Sequence, residues 1–194
     1  MVLFISGLVI FMGVHAIPMH TDVRTRLVLR LGEKGYAFAF SLASLIGFVL
    51  IVSGYGELQT AGSGNPVIWV PPTWTRHVTF LLMIPATILL AAAYIPSRIR
   101  DAVRHPMLAA IKIWALAHLM TNGDLASLML FGSFLAFAVV DRISVKRRAA
   151  RGPLGERTGT LAGDLSAVGV GLVVYALLLF FGHGWLIGVP LIAG

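Results

Sequence analysis

Cysteine is absent from the 194 residues of this chain, and the absence removes whole classes of chemistry. Disulfides, iron–sulfur clusters, thiolate-ligated or covalently attached haem and cysteine zinc sites all need a sulfur that is not there. Any haem is left to histidine or methionine. Charge is scarce as well: 12% of residues are charged against 58% hydrophobic, a balance foreign to an ordinary soluble domain. Carboxylates are the scarcest of all. Asp101, Asp124, Asp141 and Asp164 fall at the ends of apolar stretches, and Glu33, Glu57 and Glu156 in loops. A buried carboxylate-bridged di-iron centre would therefore have no ligands.

What the chain does have is six apolar stretches: Val2 to Pro18, Tyr36 to Ser53, His77 to Ile95, Ala102 to Met120, Leu125 to Val140 and Leu165 to Phe181. Each is close to the ~20 residues needed to cross ~30 Å of hydrocarbon. The fold class expected is all-α, an integral membrane six-helix bundle forming a single domain over residues 1–194. The basic residues fix a topology. Arg24, Arg26, Arg30 and Lys34 follow the first stretch, Arg98, Arg100 and Arg104 the third, and Arg142, Lys146, Arg147, Arg148, Arg151 and Arg157 the fifth. Only Arg76 lies on the opposite side and only Lys112 deep within a stretch. The positive-inside rule then puts both termini outside and the three basic loops in the cytoplasm. The net charge of +7 sits where anionic headgroups are met, so membrane lipid is the expected partner and nucleic acid is not. Because the basic cluster comes after the first apolar run rather than before it, that run reads as a retained span and not a signal peptide.

Loops and small residues suggest how the helices pack. Arg24, Arg26 and Arg30 recur at spacings that continue a helix along the inner surface. The outer connection from Gly54 to Arg76 holds Gly62, Gly64, Pro66, Pro71 and Pro72, which oppose regular helix, with Trp69 and Trp74 suited to the headgroup belt. Thr121, Asn122, Gly123 and Asp124 make a tight turn that forces spans four and five into an antiparallel pair. Ala37, Ser41, Ser44 and Gly47 or Phe48 in span two, and Ala126, Gly132, Ser133 and Ala136 in span five, favour close helix contact. Pro85 should bend span three. The segment from Gly182 onward, broken by Gly188 and Pro190, reads as lying on the outer surface with Trp185 as an anchor.

Polar groups in hydrocarbon point to function. Here they are His15, Lys112 and His118, with His77 and His105 at the edges. Histidines without carboxylates favour haem b over non-haem iron. At 100° per residue, Ile111, Trp114, His118 and Asn122 share one stripe of span four, whereas His105, Ala109 and Lys112 share another. The first stripe could line a cofactor pocket; Arg104, His105 and Lys112 would make a basic cleft for carboxylates or phosphates. Plainer readings are a His118 bonded to a neighbouring carbonyl and a Lys112 that snorkels to the inner surface. His20 and His183 fall outside the spans and read as surface residues.

Arg104-His105-Pro106-Met107, followed by Leu116-Ala117-His118, resembles the NnrU family of bacterial inner-membrane proteins. The resemblance extends to His15-Ala16-Ile17-Pro18, Leu31-Gly32-Glu33-Lys34-Gly35-Tyr36, Pro71-Pro72-Thr73-Trp74-Thr75-Arg76-His77 and Asn122-Gly123-Asp124-Leu125. It implies a link to denitrification and nitric oxide metabolism, through the making of nitrite and nitric oxide reductases. The family is similar in turn to 15-cis-zeta-carotene isomerase, a haem b membrane enzyme. That similarity implies iron ligands at His15 and His118, with His105 matching a further histidine of the isomerase. Phe137 stands near the place of another of the isomerase's histidines.

Depth along the helices tests this ligand pair. His15 is nine residues from Arg24, about 13 Å, and His118 fourteen from Arg104, about 21 Å. Axial nitrogens must come within roughly 4 Å of each other, so tilt and side-chain reach must supply the rest. His77 matches His118 in depth and makes a His77/His118 pair the rival. The expected function is a haem b protein whose Arg104, His105 and Lys112 neutralise the propionates. It would be either a redox or nitric oxide responsive switch or an isomerase of a lipid-soluble substrate. One alternative is a non-catalytic assembly factor for a nitrite or nitric oxide reductase. Another is an S-adenosylmethionine-dependent membrane methyltransferase, whose arginine-histidine-proline motif is similar. Monomer and homo-oligomer are both left open.

Overall fold

The computed structural model describes residues 1–60, 62–148, 154–155, 157–189 and 191. Arg151, Glu156 and Pro190 lie outside the described residues. Among those described the chain is helical, with no strand and two isolated bridges, Val67 with Asp124 and Ser97 with Thr160. The α-helices are α1 (Val2–Ala16), α2 (Thr21–Leu58), α3 (Thr75–Ala92), α4 (Arg98–Val103), α5 (Pro106–Leu119), α6 (Leu125–Arg147) and α7 (Leu161–Leu177). A π-helical turn, Leu178–Gly182, joins α7 to the short α8 (His183–Ile187). Seven helices of six residues or more thus stand where six were expected. Among the described residues, five helical stretches are long and apolar enough to cross a membrane. Their outward side chains include Phe38 at 70%, Leu81 at 67% and Phe181 at 70% exposure, an apolar surface suited to contact with lipid.

The extra helix arises where the expected fourth span divides. Arg104 has φ 65° and ψ −40°, and the His105 N–H donates to Val103 O at 2.8 Å. This is a γ-turn of the rare, strained hand, with a non-glycine residue at its centre. Pro106 then starts α5 at its first position, where no backbone N–H is needed. The α5 helix has 14 residues, a rise of about 21 Å, shorter than the expected Ala102 to Met120.

The chain divides into two compact units, Met1–Asn65 and Pro66–Gly194. In the first, α1 and α2 pack antiparallel through glycine notches. A Cβ on Gly7 would come within 2.6 Å of Ile51 N, one on Gly47 within 2.8 Å of Phe11 N, and one on Gly54 within 2.6 Å of Phe4 N. Backbones this close exchange dispersion along their whole length. Of the small residues expected on this face, Gly47 makes the contact, whereas Ala37 and Ser41 are exposed. The basic stretch after α1 is helical from Thr21, and Gly32, with φ 71° and ψ 164°, breaks it from the rest of α2.

In the second unit, α3 packs against α5 and α7, and α5 against α6. The hydroxyl of Thr79 donates to Ala117 O at 2.8 Å, and Gly171 sits against the backbone of Ile88. The helix carrying Pro85 continues through it, and Pro85 is exposed. As expected, the 121–124 turn pairs α5 with α6: Asp124 caps α6, accepting from Ser127 N at 2.9 Å and Ser127 Oγ at 2.6 Å. The preceding loop is fastened to this turn, with Ile68 N donating to Gly123 O at 2.7 Å and Leu125 N to Pro66 O at 2.9 Å. The last span does not stop at Phe181 but runs on to Ile187, because Gly182 and Gly184 are accommodated within helical turns.

Candidate functional site

His15 occupies the last turn of α1. The evenly stepped pairs Phe4/Gly54, Gly7/Ile51 and Phe11/Gly47 bring the His15 turn opposite the one that holds Phe40 and Ser44. Its ring stacks on Phe11 at 4.1 Å and 26° and meets Phe40 at 5.1 Å. Nδ1 lies 2.8 Å from Phe11 O. A carbonyl oxygen only accepts, so Nδ1 carries the hydrogen and Nε2 keeps its lone pair.

His118, on α5, repeats the arrangement in the second unit. Its Nδ1 donates to Trp114 O at 2.8 Å, one helical turn back. The ring stacks on Phe131 at 4.6 Å and 28°, and Trp114 meets Phe131 and Phe134 edge-on at 5.0 and 5.3 Å. The expected stripe is therefore present, with one change of role. Asn122 Nδ2 turns back to His118 O at 2.8 Å, closing the end of α5 rather than lining a pocket.

Three more expected residues take different positions. His77 lies 200° around α3 from Thr79 at 100° per residue, and Thr79 is the residue that bonds to α5. His77 is exposed and faces away from His118's helix. Lys112 is half-buried on α5, about 120° round from His118. Arg104 is exposed, at the centre of the γ-turn described above.

His105 follows Arg104 outside the helix and is half-buried at its start. Burial, then the Arg142 guanidinium, hold its pKa below the usual histidine value; Asp141 acts in the opposite sense and Arg104 lowers it further. A neutral imidazole beside two guanidinium groups offers a hydrogen bond rather than a charge. Among the described residues no three of His, Cys, Asp and Glu gather as a metal-holding group.

Two residues had been given lesser roles. Arg100, counted only as a topological charge, is buried and donates to Arg157 O and Gly155 O, both at 2.6 Å. It closes the 155–159 segment on α4, with help from Gly159 N to Asp101 at 2.8 Å and Ile99 N to Asp164 at 3.1 Å. His183, read as a surface residue, sits at the end of the continued last span within electrostatic reach of His118. Its Nδ1 also donates to a carbonyl, that of Val189, at 2.7 Å. The sequence signal for it was a histidine set between the apolar residues Phe181 and Trp185, just past the last stretch.

A model of the NnrU family, described as NnrU protein, matches residues 3–191. No curated protein and no solved structure matches. The chain belongs to the NnrU family.

Proposed function

We propose that this NnrU-family membrane protein binds haem b, that the imidazoles of His15 and His118 would hold it, and that it serves the nitric oxide metabolism its resemblance implies. The observation that supports this most is the matched hold on the two rings. Each Nδ1–H is tied at 2.8 Å to the carbonyl four residues earlier and each ring lies on a phenylalanine. Metal-ligating histidines are oriented in this way, with the second nitrogen's hydrogen bond fixing the tautomer and raising ligand basicity. The donor set fits the group: two imidazoles with Nε2 lone pairs, aromatic flanks for an apolar macrocycle, and a buried Tyr36 hydroxyl without a partner. Bound haem b would supply a redox-active iron that takes up small ligands such as nitric oxide.

The chain's own residues do the rest. Phe11, Phe131 and Trp114 exclude water from the rings, and Arg104, His105 and Lys112 are the partners expected for propionates. In the topology proposed, both termini lie outside and the three basic loops meet the cytoplasmic leaflet of a bacterial inner membrane. A switch and an isomerase of a lipid-soluble substrate are the two activities that this donor set would serve.

The test is haem stoichiometry in detergent-purified protein expressed with haem precursor. About one haem per chain is expected, falling at least tenfold in His118→Ala or changing to five-coordinate spectra. Colourless wild-type protein would end the proposal.

A further inference from the structure

In the first unit, Tyr36 Oη is shut off from solvent and has no hydrogen-bond partner among the described residues. The guanidinium of Arg24 lies over the same ring, 5.7 Å from its centroid, and has no ion-pair partner among the described residues. In an unbroken helix these two residues would be about 18 Å apart along the axis. The break at Gly32, in a backbone region open essentially only to glycine, brings them together. On its other side Tyr36 meets Phe40 at 6.1 Å, and Phe40 meets His15 at 5.1 Å. The Tyr36 ring, with the Arg24 guanidinium over its face and its hydroxyl unpaired, thus stands at one end of a row of rings whose other end is the His15 imidazole. A buried hydroxyl left unpaired carries its full desolvation cost, and a phenol beside an unpaired cation is the donor pair that an oxyanion satisfies.

We propose that Tyr36 Oη and the Arg24 guanidinium bind a carboxylate carried on an apolar body, and that the carboxylate is a haem propionate. This rests on the haem reading above and adds to it a second, separate carboxylate site besides the Arg104 group. Tyr36 donates its hydroxyl hydrogen to one carboxylate oxygen, and Arg24 supplies charge and N–H donors.

The experiment compares haem b with its dimethyl ester, which lacks both carboxylate charges, on wild-type protein, Tyr36→Phe and Arg24→Gln. Wild type should prefer haem b by about tenfold or more. Each variant should cut that preference by about threefold or more, the remainder belonging to the Arg104 group, while the axial spectrum stays unchanged. Tyr36→Phe should also raise the melting temperature of the haem-free protein, because it removes an unpaired buried hydroxyl. Haem uptake with an undiminished preference for the free acid in both variants would overturn this site and leave the histidine reading standing. So would a phosphatidylglycerol that co-purifies with wild type and is lost from Arg24→Gln while that preference holds, since the oxyanion would then be a lipid phosphate. No haem uptake by wild type in either form would end both proposals together.

Discussion

The two compact units hold a histidine in the same way and build that hold from different materials. In Met1–Asn65 the helices meet backbone to backbone, through Gly7, Gly47 and Gly54. In Pro66–Gly194 one such notch, Gly171 on Ile88, is joined by side chains that tie helix ends to backbone: Arg100 to the 155–157 loop, Asp124 to α6, and Thr79 across to α5. Each Nδ1–H bond runs four residues back along its own helix, so the imidazole orientation is set locally in both units, which differ in what surrounds the ring.

That comparison can be attacked from both sides. The largest loss of stability is expected for Phe131→Ala, which removes a side chain 4% exposed and the ring beneath His118. The cost should be about 3–5 kcal/mol, read as the fall in unfolding free energy in detergent. Arg100→Ala removes two short charge-assisted bonds to carbonyls and should cost about 3 kcal/mol. Its melting temperature should fall with the His118 site still intact, because the segment tied to Arg100 opens first. In the other unit, Gly54→Ala drives a methyl into the backbone of Phe4, for about 1–3 kcal/mol. The control is Gly132→Ala, with nothing within 4 Å, which should be neutral or gain about 0.5–1 kcal/mol. Equal effects of the two glycine changes would undo the notch account of the first unit.

The smallest effect concerns pH. Burial and Arg142 lower the pKa of His105 in the fold, so the unfolded chain takes up its proton first as pH falls. Stability from this group is complete above the ordinary histidine value near 6.5 and is lost as pH drops through the lower, folded value. His105→Asn should therefore flatten the acid side of a stability–pH curve below about 6.5. An unchanged curve would remove His105 from that role.

Much of the helical layout was legible because hydrophobic runs and flanking arginines are one-dimensional signals. The Asn122-Gly123-Asp124 turn was legible for a local reason, since its capping bonds span only three residues. What was not legible is three-dimensional or torsional. A charge count gives the sign of Arg100 but not the carbonyls it reaches 55 and 57 residues away. Gly182 reads as a stop, yet a π turn carries the last helix past it. A Gly32 break and an Arg104 γ-turn are backbone states that composition does not announce. At the candidate site, the His118 stripe followed from helical periodicity. Its Phe131 partner is on another helix, and the Tyr36–Arg24 pair needed the Gly32 break to exist.

The central claim is that both imidazoles bind one class of metal centre through Nε2. Near-infrared magnetic circular dichroism of the ferric protein tests it most directly, because the charge-transfer band of low-spin haem reports the axial pair. The account predicts a bis-imidazole band in wild type, its loss in both His15→Ala and His118→Ala, and its return when free imidazole is added to either variant. A bis-imidazole band that persists in both variants, or a wild-type band of another ligand pair, would contradict it.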